Sequence, residues 1–189
     1  MKGLYQYLRQ AWKKPDPVTQ RERMIDWRKS GTFTKLDKPL RIDKAKNLGY
    51  KSKKGFVVVR VKIGRGGHKK PRPNKGRRTK RLHNRKNLKM SYQWIAEQRA
   101  EKKYTNLEVL NSYLVGKDGK QYFFEVILVD PNKKEIQNDK NINWICKPVN
   151  RNRSVRGLTS AGKKSRGLRN KDPQNKNRPS VRSGGRKGK

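Results

Sequence analysis

The chain has 189 residues, 53 Lys and Arg against 14 Asp and Glu, and a formal net charge of +39, with only 30% hydrophobic residues. That balance allows one modest core with much of the chain outside it, and it selects polyanions as partners. The single cysteine, Cys146, excludes an internal disulfide and a cysteine zinc cluster, and no apolar run approaches the roughly 20 residues that span a bilayer.

From the start, Leu4, Leu8 and Trp12, with Tyr5 beside them, predict a short amphipathic helix that Pro15 and Pro17 end. Arg9, Lys13 and Lys14 lie off the apolar stripe as a cationic flank. The start is too polar for a signal-peptide core, and the Pro15-Asp16-Pro17 break argues against a transit peptide. Thr19 and Glu22 have capping-box spacing and predict a second helix over 20–30, with Met24, Ile25 and Trp27 inward and Gly31 as its stop. Residues 32–42 read as extended, since Pro39 rules out a continuous helix. Asp43 is the expected cap of a short helix ending at Gly49.

Residues 55–63, GFVVVRVKI, alternate as a half-buried strand. Val57, Val59, Val61 and Ile63 form the core side, and Val58, Arg60 and Lys62 a cationic side. From Lys62 to Lys89 there are thirteen Lys or Arg and no acid, and the only large aliphatic residues are Ile63, Leu82 and Leu88. Such a segment cannot offset the entropy of its own ordering. It is expected to be a disordered basic loop that orders on a polyanion. Gly64, Gly66 and Gly67 let backbone amides approach phosphate, and Pro71 and Pro73 stiffen the run.

Ser91 is the expected cap of a helix to Lys103, with Trp94 and Ile95 inward. Glu97 and Glu101, four apart on it, are expected to pair with surrounding bases. Residues 107–115 and 121–130 predict two strands about an Asp118-Gly119 turn. Tyr122–Val129 is apolar on both faces apart from Glu125, which marks a central strand. Asp130 is the expected cap of a helix begun by Pro131, and residues 142–146 a last edge strand.

From Lys147 onward there are fifteen Lys or Arg and one acid, Asp172, and hydrophobes almost vanish. The expected organisation is an α+β body over 1–146, a small antiparallel sheet packed with helices, and a basic extension over 147–189. Within the extension, Thr159 or Ser160 is a candidate cap that turns free amides towards a phosphate, with Lys163, Lys164 and Arg166 adding charge.

Enzymatic chemistry finds no constellation. Cys146 follows Trp144-Ile145 and reads as a small apolar residue. His68 and His83 sit in basic runs without acidic or cysteine neighbours, so no metal site is expected. Gly64-Arg65-Gly66-Gly67 lacks the Lys-Ser/Thr ending of a P-loop. The four tryptophans are expected mainly in packing.

The ordered set YQYLRQAWKKP, DKAKNLGYKSKKGFVVVRVKIGRGG, PNKGRR, QWIAEQRAEKKY, LEVLNSYLVGKDGKQYFFEVILVD and RGLTSAGKKSRGL spans nearly the whole chain. It resembles the large-subunit ribosomal protein family numbered fifteen in the eukaryotic/archaeal series, nearer its archaeal form and unrelated to the bacterial protein of that number. Leu114 departs from a common aromatic and Lys46 from a common Arg. The resemblance implies a structural, non-enzymatic protein of the cytoplasmic large ribosomal subunit. Its implied partners are large-subunit rRNA and neighbouring ribosomal proteins, with no cofactor, metal, membrane or small-molecule substrate.

The resemblance places RNA contact on the turn of Lys51, Lys53 and Lys54. It also places contact on the basic loop, at Arg65, Gly66, Gly67, His68, Lys69, Lys70, Arg72, Asn74, Lys75, Arg77, Arg78, Lys80, Arg81, Arg85 and Lys86. A third set is Arg156, Thr159, Ser160, Lys163, Lys164, Arg166, Arg169 and Lys171, and the cationic strand face adds Arg60 and Lys62. The competing reading is a free nucleic-acid chaperone or chromatin-like protein.

Overall fold

The computed structural model describes residues 3–69, 75–77, 85–86, 88 and 90–169. Its centre is a four-stranded antiparallel sheet in the order β1-β2-β6-β5. β1 is Phe33–Leu36, β2 Phe56–Gly64, β5 Glu108–Lys117 and β6 Gln121–Val129. A two-stranded ribbon pairs β3 (His68–Lys69) with β4 (Arg85–Lys86). The helices are α1 (Leu4–Ala11), α2 (Pro17–Lys29), α3 (Ile42–Asn47), α4 (Tyr92–Lys103), α5 (Lys134–Gln137) and α6 (Ser160–Ser165). No helix among the described residues is long and apolar enough to cross a membrane.

The expected α+β architecture and the central position of β6 hold. β6 is apolar on both faces because both are covered. On one side Phe123 and Ile127 pack with Met24, Trp27, Ala45, Val58 and Tyr113. On the other, Phe124, Val126 and Leu128 pack with Val59, Val61, Ile63 and the small α4 residues Ala96 and Ala100. Glu125 faces the α2 side, directly opposite Arg60 in the register. It is hydrogen-bonded by the Tyr113 hydroxyl and accepts from the Leu40 amide at 3.2 Å, so it pins the turn between β1 and α3. Burial raises its pKa, against those hydrogen bonds.

Several local expectations are corrected. α2 starts at Pro17 with Asp16 as its cap, not Thr19; Asp16 Oδ2 accepts from Thr19 N at 2.8 Å and Thr19 Oγ1 at 2.7 Å. Proline suits the first helical position, so Pro17 opens α2 instead of closing α1. Ile25 is exposed, while Met24 and Trp27 are buried. α3 begins at Ile42, and Asp43 lies inside it, buried beside the Arg41 guanidinium at 3.4 Å. Asp130 closes a turn by accepting from Asn132 N at 3.0 Å, and α5 starts later, after Lys133.

Residues Asn143–Cys146 form a 3₁₀ helix, not an edge strand. Ile142 and Ile145 are three apart and pack with Val129 and Ile136, a spacing that the three-residue turn places on one side. Ser91 caps α4 as expected, its Oγ accepting from Trp94 N at 3.3 Å. The hairpin closes through Asp118, whose Oδ1 accepts from Lys120 N at 2.8 Å.

The 146/147 boundary suggested by composition does not coincide with a break in packing. Ser154, Thr159 and Ala161 are buried against the body.

Candidate nucleic-acid interface

The basic segment leaves the sheet where β2 ends. Arg65 N donates to Lys120 O at 2.8 Å, and Arg65 Nη1 to Asp118 O at 2.9 Å, with its guanidinium 5.3 Å from the Tyr122 ring centre. Tyr122 stacks on Tyr92 at 4.9 Å, and the Tyr92 hydroxyl accepts from Gly66 N at 2.8 Å. Gly66 has φ of 104°, a conformation that favours glycine. Its amide is therefore used by Tyr92, not left open for phosphate.

Gly67 is exposed, and the ribbon of His68, Lys69, Arg85 and Lys86 brings the two ends of the segment together. A paired base thus replaces the expectation of a wholly unstructured loop. Lys75 and Arg77 are exposed. Lys70, Arg72, Asn74, Arg78, Lys80, Arg81 and Lys171 lie outside the described residues.

The second group is held by α4. Glu97 and Glu101 are buried, and their hydrogen-bond partners are hydroxyls and amides, not the bases expected from sequence. Glu97 is hydrogen-bonded to Ser112 Oγ and, at 2.5 Å, to Thr159 Oγ1. Glu101 accepts from Ser154 Oγ at 2.5 Å, Ser154 N at 3.3 Å and Val155 N at 3.1 Å. Arg153 donates to Val109 O at 2.8 Å and lies 4.6 Å from the Trp144 ring centre.

Thr159 caps α6 as one of the two candidates, accepting from Gly162 N at 3.2 Å. Because Thr159 is buried over Glu97, this end of α6 faces the body and does not offer itself to a phosphate. Ser160 is half-buried, while Lys163, Lys164 and Arg169 are exposed. Arg166 donates to Gly157 O at 3.0 Å, and Arg156 to Arg151 O at 3.0 Å.

These two groups meet at one place. Ser91 N donates to Ser165 Oγ at 3.1 Å, and the next residue, Tyr92, holds Gly66. The start of α4 thereby joins the root of the basic loop to α6, although the two segments are far apart in sequence.

The other predicted residues lie elsewhere. Lys51 and Lys53 bind Asp139 at 2.7 and 2.6 Å, and Lys53 also donates to Glu135 O at 2.8 Å; Lys54 is exposed. Those two ammonium groups hold the Asp139 carboxyl well below the usual carboxylate range. This turn precedes β2, so it lies roughly 30 Å from the loop root by strand rise. Arg60 and Lys62 are half-buried and lie against α2. Arg60 sits 5.0 Å over Trp27, and Lys62 donates to Ser30 O at 2.6 Å and Arg28 O at 3.0 Å. The alternation in β2 was legible, but the covering of its cationic side by α2 was not.

The structure also shows a surface cavity of about 680 Å³ lined by Arg9, Lys13 and Lys14 with Gln6 and Gln10. The sequence signal for it was the cationic flank of α1. Among the described residues no group of His, Cys, Asp and Glu could hold a metal ion.

Glu97 titrates in the neutral range. Burial raises its pKa from 4.5 to about 7, against the pull of the Ser112 and Thr159 hydrogen bonds and the Arg153 charge, with Glu101 adding repulsion. A raised folded-state pKa means the folded protein holds the proton better. Its stabilising contribution is full below pH 4.5 and is lost as pH rises through 7, a change on the order of 3 kcal/mol. Glu97→Gln mimics the protonated group. Urea midpoints at pH 5, 6.5 and 8 should fall less steeply in the variant than in the parent, and parallel profiles would refute the assignment.

The sequence itself matches the family model described as Ribosomal L15 over residues 3–184. It is also 53% identical over 194 aligned positions to the large ribosomal subunit protein eL15 of Methanospirillum hungatei, with 100% of this chain and 99% of that protein covered. A family match over nearly every residue, with a relative of this identity along its full length, shows that the chain belongs to the ribosomal L15 family of the eukaryotic/archaeal series, and is a ribosomal protein.

Proposed function

We propose that this chain is a structural constituent of the cytoplasmic large ribosomal subunit that binds large-subunit rRNA at the start of α4, between the loop root and α6. The observation that carries this reading is the pair of bonds from adjacent residues, Ser91 to Ser165 and Tyr92 to Gly66. They set two basic segments of a chain with net charge +39 side by side. Lys163 and Lys164 on α6 and Lys75 and Arg77 of the basic segment are exposed cations. Lys and Arg neutralise phosphates and release counterions, so binding weakens as salt rises. The protein's work is positional: RNA segments that repel one another are held together by arms anchored in one core. Neighbouring large-subunit proteins are its protein partners.

Neutralisation of about ten phosphates gives a slope of log affinity against log salt near −9 by the duplex rule. Substituting Arg77, Arg78 and Arg81 together with alanine should weaken binding to a large-subunit rRNA fragment and reduce the slope's magnitude by about 2–3. An unchanged slope removes the loop from the mechanism. In gradients of cell extract at moderate and high salt, the chain should stay in the large-subunit peak. A free or DNA-associated pool with none in that peak would overturn the reading.

A further inference from the structure

At the end of the sheet away from the loop root, the turn after β1 and the residues leading into β2 enclose a surface cavity of about 480 Å³. Its walls are of two chemical kinds. Tyr50 and Phe56 supply aromatic surface, meeting edge to face with ring centres 5.8 Å apart and planes at 82°. Lys38, Lys53 and Lys54 line it with one acid, Asp37, which leaves the rim positive. Lys53 is committed to Asp139 and the Glu135 carbonyl. Lys38 and Lys54 are exposed and make no hydrogen bond or ion pair with the rest of the described chain.

We propose that this cavity receives one unstacked nucleotide of the bound RNA, its base against Phe56 and its phosphate between Lys38 and Lys54. The proposal rests on the rRNA-binding reading and adds a second, chemically different contact to it. A phosphate alone would use the two free lysines and leave the aromatic wall idle. An apolar ligand would use the wall and leave the lysines without a counter-charge. A nucleotide carries both complements, and base–aromatic stacking tolerates any base. A base inside a duplex has its faces covered by its neighbours, so an unpaired, splayed nucleotide is the form that fits. The size suits one small ligand. Tyr50 is 8% exposed and acts as the wall that sets the Phe56 ring, which is the more exposed of the two.

The test is an NMR titration of the labelled full chain with uridine monophosphate, uridine and inorganic phosphate, read at the amides of Lys38, Tyr50, Ser52 and Phe56. The nucleotide should shift these amides saturably, at about tenfold lower concentration than either phosphate or uridine. Lys38→Gln combined with Lys54→Gln should raise the midpoint about tenfold, and both are surface changes that spare the core. Phe56→Leu keeps an apolar residue at the position and should make the nucleotide no better than phosphate. Equal responses to nucleotide and phosphate in the parent chain would overturn the proposal, as would no response at these amides. Binding to an rRNA fragment, measured on the same sample, separates the two readings. A chain that binds the fragment but gives no nucleotide response loses only the cavity. A chain that gives the response but does not bind the fragment keeps the cavity and loses the rRNA reading.

Discussion

Replacing Glu101 with alanine should detach residues 152–168 from α4 and cost roughly 3–5 kcal/mol of folding stability. The carboxylate is 4% exposed and accepts from three donors, Ser154 Oγ, Ser154 N and Val155 N. Ser154 is fully buried, so its amide and hydroxyl would lose their acceptor where water does not replace it. The Trp94 indole, which donates to Ser154 O, would lose its alignment as the segment moves. Glu101→Gln retains one acceptor oxygen and should give an intermediate effect. The measurement is hydrogen exchange of the free protein with a parallel urea titration. In the alanine variant, protection should fall at Ser154, Val155 and Gly162 while β2 and β6 stay protected, a local opening distinct from global unfolding. Unchanged protection at those three amides would show that the segment is held by something else.

Gly162→Ala should destabilise the protein by about 2–3 kcal/mol, against the direction that helix propensity favours. Gly162 lies within α6, where alanine normally gains up to about 1 kcal/mol over glycine. Here a Cβ would stand 2.7 Å from Gly157 Cα, 2.8 Å from its carbonyl carbon and 3.0 Å from its oxygen. Those are backbone atoms and cannot rotate away. Gly157 is itself confined, with φ of 67° and a Cβ position 2.8 Å from Arg166 Cδ and 3.1 Å from the Trp94 ring. α6 would have to lift, which breaks the Thr159 cap and its bond to Glu97. It would also displace Lys163 and Lys164, so rRNA affinity should fall with stability. Gly119→Ala is the control, because nothing lies within 4 Å of its Cβ position. Its urea midpoint should stay close to the parent's, while that of Gly162→Ala drops; equal midpoints would mean the two backbones are not in firm contact.

What was legible depended on how far apart the interacting residues lie. β2 and β6 were readable because alternation and an unbroken apolar run are local signals. So was α4, whose serine cap sits three residues from the amide it satisfies. At α2, Asp16 and Thr19 both have capping chemistry, and geometry chose Asp16 because Pro17 preorganises the first turn behind it. Residues 142–146 offered both alternation and a three-residue spacing. The third apolar cluster, with Val129 and Ile136 already in place, selected the latter. Arg60 and Lys62 were assigned to the correct side of β2, but nothing near them in sequence announces that Trp27 and the end of α2 lie over that side.

By itself the sequence determined the partner class, the fold class and the family. A charge of +39 is a sum over residues and needs no geometry to select a polyanion. Strand periodicity and the long ordered set of motifs are likewise properties of the chain read in order. Tertiary structure decided which basic residues are available and what orders them. It set Arg60 and Lys62 against α2, tied Lys51 and Lys53 to Asp139, and made residues 152–168, which composition reads as a tail, part of the body. The bonds responsible join Glu101 to Ser154 and Glu97 to Thr159, across 53 and 62 residues. Local propensity carries no term for such a pair. It forms because α4, with Ala96 and Ala100 against the sheet, leaves Glu101 to the returning chain and Glu97 to be shared between Ser112 of β5 and Thr159.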